Sequence, residues 1–159
     1  MKRVLLAISA SVGLACAVSL AHADDRVMIN QNSSGGSVQV EQNGGMGMNQ
    51  VMVNQGQPYF YAEGWGGNQV MVMQNQVTDS NATVDQNGPG TNAHLEQTQT
   101  FLGFASIMQN SFGGNLSADI IQSGAYNRAD ISQFGSNMSA SISQGYGTSN
   151  NTATIIQRH

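Results

Sequence analysis

The sequence predicts an all-β fold: a β-solenoid of stacked strand–turn–strand repeats, preceded by a leader that is removed. Three observations carry that prediction. A seven-residue unit recurs eleven times, and such self-similarity marks a repeat architecture. Within each unit apolar and polar positions alternate, which is the period of a half-buried strand and not of a helix. Gly, Asn and Ser cluster between the units, where a chain needs tight turns.

The first segment reads differently from the rest. Lys2 and Arg3 precede an apolar run from Val4 to Leu20, and Ala21-His22-Ala23 fits an A-x-A cleavage site. This pattern predicts a secretory signal peptide over residues 1–23, cleaved after Ala23, and a repeat domain over residues 24–159. The run is short for a spanning helix. A competing reading is lipidation at Cys16, because Leu14-Ala15-Cys16 loosely resembles a lipoprotein box, although Gly13 stands where that box takes an aliphatic residue.

Cleavage after Ala23 leaves 136 residues without cysteine, which excludes disulfides and thiol chemistry. The charge becomes −6, with Arg26, Arg128 and Arg158 against nine carboxylates. That balance excludes nucleic acid as a partner, since phosphate binding needs clustered basic side chains. It equally disfavours an anionic membrane surface. Asn and Gln supply 33 of the 136 residues. Such a composition also occurs in disordered tracts, so the register of the apolar residues has to decide.

The best-formed unit is Asn127-Arg-Ala-Asp-Ile-Ser-Gln133. Asn127, Ala129, Ile131 and Gln133 would share one strand face, and Arg128, Asp130 and Ser132 the other. Each unit ends on a glutamine: 31, 42, 55, 74, 86, 97, 109, 122, 133, 144 and 157. Two residues earlier every unit has a branched aliphatic, from Ile29 to Ile155, and four residues earlier every unit has Val or Ala. No charge falls on these positions, whereas Arg26, Glu41, Asp85, Glu96, Asp119, Arg128 and Asp130 all fall on the alternate ones. Burying an unpaired charge is costly, so the charge-free face is the interior.

The position six before the glutamine is looser. It holds Asn49, Asn68, Asn127 and Asn151, with Ser80 and Thr91 as short polar substitutes. In the Leu116 and Met138 units the asparagine lies one residue earlier, which predicts a local bulge or a shifted turn.

Strands of this length joined by Ser33-Ser34-Gly35, Asn43-Gly44-Gly45, Asn87-Gly88-Pro89-Gly90 and similar turns would stack two to a rung. Like residues then lie above one another at about 4.8 Å, as in amyloid-like cross-β, with amide ladders of Gln on Gln and Asn on Asn. One connection, Gly56 to Gly67, breaks the rhythm and carries Tyr59, Phe60, Tyr61 and Trp65. It is either a contact loop for a glycan or protein partner or a loop folded over the solenoid flank. Met28, Met52, Met71 and Met73 point outward and would form an adhesive stripe or a packed flank.

Catalytic chemistry finds no support. His94 and His159 are the only histidines after residue 23, and His94 sits at an outward position suited to a solvated side chain. Asp119 and Asp130 occupy equivalent outward positions in successive units, a spacing that would bring two carboxylates together and that the repeat explains without a glycosidase mechanism. No phosphate loop or Ca²⁺-binding repeat occurs. The chain is therefore read as a non-enzyme, without metal, cofactor or small-molecule substrate.

Gln122-Ser-Gly124-Ala-Tyr-Asn127-Arg-Ala129-Asp-Ile-Ser-Gln133 resembles the curlin repeat, Gln-x-Gly-x-x-Asn-x-Ala-x-x-x-Gln. Ala140-Ser-Ile142-Ser-Gln144 and Asn151-Thr-Ala153-Thr-Ile155-Ile-Gln157 extend the likeness. Curlins are secreted subunits of bacterial curli amyloid, with a major fibre-forming subunit and a minor subunit that nucleates it. The C-terminal wording is closer to the minor subunit, although its basic final repeat is reduced here to Arg158 and His159.

The resemblance implies an extracellular cell-surface fibre that supports adhesion and a biofilm matrix. It implies self-association, a second curlin-like subunit as partner, and passage through an outer-membrane curli secretion pore with accessory proteins. The polymerisation ladder would comprise Ala118, Ile120, Gln122, Asn127, Ala129, Ile131, Gln133, Ala140, Ile142, Gln144, Asn151, Ala153, Ile155 and Gln157. The alternatives are a monomeric β-solenoid adhesin that binds glycan through the Tyr59–Trp65 loop, and a disordered Gln/Asn-rich secreted protein.

Overall fold

The computed structural model describes residues 5–10, 15–19, 25–32, 36–56, 67–147 and 149–159. Among them every regular element is a strand: β1 (Leu5–Ala10), β2 (Ala15–Ser19), β3 (Arg26–Gln31), β4 (Ser37–Met46), β5 (Gln50–Gly56), β6 (Gln69–Thr78), β7 (Asn81–Asn87), β8 (Thr91–Phe101), β9 (Phe104–Ser111), β10 (Leu116–Ala125), β11 (Arg128–Gly135), β12 (Met138–Gln144) and β13 (Thr152–Arg158). Odd-numbered strands form one parallel sheet in the order β1-β3-β5-β7-β9-β11-β13, and even-numbered strands form a second in the order β12-β10-β8-β6-β4-β2. Each turn of the solenoid takes one strand from each sheet. This is the architecture that the repeat predicts.

The eleven units are the eleven strands β3 to β13. Their register is strict: Ala129 lies between Ala105 and Ala153, Ile131 between Ile107 and Ile155, and Gln133 between Gln109 and Gln157. The Val/Ala and aliphatic columns of the two sheets meet in one interior cluster, from Val27 and Ile29 to Ala140 and Ile142. Two inward aliphatic side chains per strand make a thin core. Parallel in-register stacking suits it, because β-branched side chains pack well on a pleated surface.

β1 and β2 lie inside the segment read as a leader. Their backbones pair with the first repeats in the common register, Leu6 with Val27, Ile8 with Ile29 and Val18 with Val40. An apolar segment with this alternation can occupy an open sheet edge, whose unpaired N–H and C=O groups accept any extended chain.

The corners between even strands and the following odd strands repeat a left-handed backbone. Gly47, Asp79, Leu102, Tyr126 and Asn150 all have positive φ and succeed one another along the axis. Leu102 and Tyr126 hold this conformation at a cost of about 1–2 kcal/mol each, because their Cβ crowds the following carbonyl. At Gly88 glycine is required: φ is +97°, and a Cβ would run into the Ser111 carbonyl.

Three expectations need correction. Leu116 and Met138 start their strands in register with Thr91 and with each other, so no bulge lies there. Leu116 is buried in place of an asparagine and Asn115 has moved into the turn, while the register shift of β10 falls between Gln122 and Gly124. Asp119 and Asp130 are not neighbours, because successive strands belong to different sheets and their outward faces point to opposite sides. For the same reason Met28 and Met52 lie on one outer face and Met71 and Met73 on the other, so they form no single stripe.

On the outer face of the odd sheet Asp85 lies between Asn54 and Met108. Burial raises its pKa from 3.8, opposed by a hydrogen bond from Asn87 Nδ2 at 3.2 Å. A raised carboxyl pKa contributes stability that is fully present below the unfolded value and is lost as pH rises through the folded one. Asp85→Asn is therefore expected to raise the urea midpoint at neutral pH and to leave it unchanged well below pH 3.8. An equal shift at both pH values would contradict this account of Asp85.

Candidate functional site

The most regular chemistry in the molecule lies at the ends of the strands, where each glutamine turns into the interior. Ten of the eleven are buried, and Gln157 in the last strand is half-buried. Burying an amide costs about 1–3 kcal/mol unless both its donors and its acceptor find partners. The stack supplies them.

In the odd sheet Gln31 Nε2 donates to Gln55 Oε1. The chain continues from Gln55 to Gln86 at 3.0 Å, to Gln109 at 2.9 Å, to Gln133 at 2.9 Å and to Gln157 at 2.8 Å. In the even sheet the ladder runs from Gln42 to Gln74 at 2.7 Å, to Gln97 at 2.8 Å, to Gln122 at 3.1 Å and to Gln144 at 2.8 Å. Every bond points the same way, from the amide nitrogen of the earlier repeat to the amide oxygen of the later one. Both ladders are therefore polar.

The second amide hydrogen crosses to the other sheet. Gln109 Nε2 donates to the Asn92 carbonyl at 3.0 Å, Gln122 to Phe104 at 3.0 Å, Gln144 to Arg128 at 3.0 Å and Gln157 to Ser139 at 3.0 Å. Seven glutamines, at 55, 86, 97, 109, 122, 144 and 157, thus tie the end of their own strand to the start of the preceding one. One side chain sets both the axial stacking and the closure of the rung.

The asparagine column behaves differently from the expected Asn-on-Asn ladder. In the odd sheet it reads Asp25, Asn49, Ser80, Gly103, Asn127 and Asn151, so Ser80 and Gly103 interrupt it. The side-chain oxygens accept from backbone instead: Asn49 Oδ1 from Ser80 N at 3.3 Å, Asn68 Oδ1 from Thr91 N at 3.2 Å and Asn127 Oδ1 from Asn151 N at 3.1 Å. Asn127 also donates to the Ser123 carbonyl at 2.8 Å, which braces its own turn. Sequence reading missed Asp25, which heads this column, is buried and accepts from Asn49 Nδ2 at 3.0 Å. It stands six before Gln31, so the repeat register had marked it.

The two ends are chemically unlike. At the N-terminal end Gln31 Oε1 and Gln42 Oε1 are buried without a hydrogen-bond partner, as is Asp25 Oδ2. At the C-terminal end Ala140, Ile142 and Gln144 remain buried, whereas Ala153, Ile155 and Gln157 are half-buried and Asn151 is exposed. Ala118, Ile120, Gln122, Ala129, Ile131 and Gln133 lie fully inside the stack. Tyr59, Phe60, Tyr61 and Trp65 lie outside the described residues.

Away from the ladders, His94 Nδ1 and Asp119 Oδ1 are 2.7 Å apart on the outer face of the even sheet, and Ser141 Oγ reaches Asp119 Oδ2 at 3.4 Å. The aspartate stands between the serine and the imidazole, so the histidine cannot take the hydroxyl proton as a nucleophile's base would. Among the described residues no group of three or more His, Cys, Asp or Glu side chains could hold a metal.

Residues 113–145 match the family model of the curlin associated repeat. That segment is similar to the curlin repeat. The matched segment spans β10, β11 and β12, in which the inner columns read Ala, Ile and Gln throughout. No curated protein and no solved structure matches the chain.

Removing a glutamine inside a ladder orphans two buried groups, whereas removing one at the end orphans fewer. Gln109→Ala leaves Gln86 Nε2 and Gln133 Oε1 without their axial partners, at about 1–3 kcal/mol for each. Gln157→Ala is expected to cost less than half as much in urea denaturation of the folded chain. Equal losses at the two positions would show that ladder continuity does not carry the stability.

Proposed function

We propose that this chain is a secreted structural subunit or nucleator of extracellular curli-type amyloid fibres, which support surface adhesion and the biofilm matrix. The observation that carries the reading is the pair of polar glutamine ladders with unlike ends. Buried acceptors wait at Gln31 and Gln42. The Gln157 amide and the half-buried Ala153 and Ile155 wait on β13, and on β12 the Gln144 amide is held by the Asn151 carbonyl at 3.3 Å. An end of one kind complements an end of the other, so the surface that a copy needs is provided by a second copy.

Export fits the same scheme. Cleavage of a signal peptide after Ala23 removes β1 and β2 and opens the β3 and β4 edges. Those edges present unpaired N–H and C=O groups to the next chain. A thin core stabilises one copy only marginally, since ordering costs about 1–2 kcal/mol per residue for the backbone alone. The curlin resemblance implies passage through an outer-membrane secretion pore in unfolded form, and that balance is compatible with it and with templated folding on a fibre end. Nucleation is then slow and growth fast, with a second curlin-like subunit as the natural partner for seeding.

Purified chain at neutral pH is expected to form self-seeding fibres with a cross-β reflection at about 4.7–4.8 Å. Ile131→Asp and Gln133→Ala should each lengthen the lag more than about tenfold, because an unpaired charge or a broken ladder costs several kcal/mol inside the stack. Ser132→Asp, on the outer face, should change it less than about threefold, in keeping with small surface effects. A folded monomer that neither assembles nor responds to seeds, or equal delays at inner and outer positions, would overturn the reading. Whether these fibres seed a second curlin-like subunit separates nucleator from bulk subunit.

A further inference from the structure

Among the described residues the two sheets hold unequal numbers of strands. Seven are odd-numbered and six even-numbered, and removal of residues 1–23 takes one from each sheet, so the difference of one remains. Along the winding, the next open position after β13 is therefore on β12, in the other sheet. We infer that the next copy of the chain enters there, its β3 pairing in parallel with β12 and its β4 with β13. Successive copies are then related by half a turn about the solenoid axis. The inference rests on the fibre reading above and adds the geometry of its junction.

Half a turn is the operation that carries one sheet onto the other. Each corner reverses the chain, so strands of the two sheets run in opposite directions. Rotation by half a turn exchanges both position and direction. A copy added without rotation would set its β3 on β13, and its β4 would follow one step higher. The even sheet would then lack one strand between β12 and the incoming β4. A row of backbone N–H and C=O groups would stay unpaired inside the fibre, which native structures avoid.

The rotated junction closes what the isolated chain leaves open. Gln157 Nε2 keeps one hydrogen for the incoming copy's Gln42 Oε1, and Gln144 Nε2 exchanges its 3.3 Å bond to the Asn151 carbonyl for the incoming Gln31 Oε1, the two buried acceptors without a partner. The core columns continue, with Ile142 against the incoming Ile29 and Ile155 against the incoming Val40. Charge favours the same arrangement. Among the described residues the ion pairs are His94–Asp119 and Arg128–Asp130, and neither involves Arg158. Half a turn sets the incoming Glu41 diagonally beside Arg158 on one outer face, within reach of a long side chain. Without rotation Arg158 would face β3, whose outward residues Arg26, Met28 and Asn30 offer no carboxylate.

Helical reconstruction of wild-type fibres tests this without any substitution. The expected symmetry is a rotation near half a turn, added to the solenoid's own twist. For a subunit made of the strands β3 to β13 the axial rise is five and a half strand spacings, about 26 Å. A rotation near zero with a rise of six spacings, about 29 Å, would overturn the inference and leave the fibre reading intact. Failure to form fibres would sink both. Mixed single-cysteine variants give a second readout: Ser141→Cys should form disulfides with Met28→Cys across the junction, and Thr154→Cys with Met28→Cys should not. The reverse pattern would contradict the half turn.

Discussion

Everything in this solenoid depends on how a buried glutamine spends its two amide hydrogens. One runs along the axis to the next glutamine, and the other crosses to the carbonyl that begins the preceding strand. Neither bond alone would specify the fold. The axial bond fixes which strands stack, and the crossing bond fixes where each rung closes. Shifting a strand by one residue would turn its glutamine to the solvent and break both at once, so register is strongly specified. Valine, alanine and isoleucine supply the dry filling but little discrimination, since any aliphatic of similar volume fits the same column.

The direction of the ladders gives the molecule a polarity that its backbone alone would not enforce. An amide has unlike ends, and a row of them aligned head to tail finishes with acceptors on one side and donors on the other. The pairing that satisfies buried groups inside the stack therefore leaves specific groups unsatisfied at its limits. Stability within the chain and appetite for another copy come from the same interaction. Strain at the corners is tolerated for a related reason: Leu102 and Tyr126 keep left-handed backbones because the rows above and below already have that shape.

Much of this was legible in the residues. The glutamine, aliphatic and Val/Ala columns can be read directly, because strand side chains alternate strictly and a charge-free face has one physical explanation. The same register contained Asp25, whose place at the head of the asparagine column follows from counting back from Gln31. Rung partners were not legible, because the connections between units vary in length and do not alternate. That gap produced the pairing of Asp119 with Asp130, which the alternation of sheets abolishes. The fate of the asparagine column was hidden too. An asparagine can bond to its neighbour's side chain or backbone, and even where Asn127 stacks on Asn151 its oxygen takes the backbone N–H. The match to the curlin repeat lies in β10 to β12, where Ala, Ile and Gln fill the inner columns without exception.

The central claim is that the polar glutamine ladders run unbroken from one copy into the next. Solid-state NMR on fibres grown from a mixture of chains, some with ¹⁵N-labelled and some with ¹³C-labelled glutamine, reads this junction directly. The account predicts intermolecular contacts from the side-chain nitrogens of Gln144 and Gln157 to the side-chain carbonyls of Gln31 and Gln42, at hydrogen-bonded separation. Contacts between like ends, or no intermolecular glutamine contact at all, would contradict it.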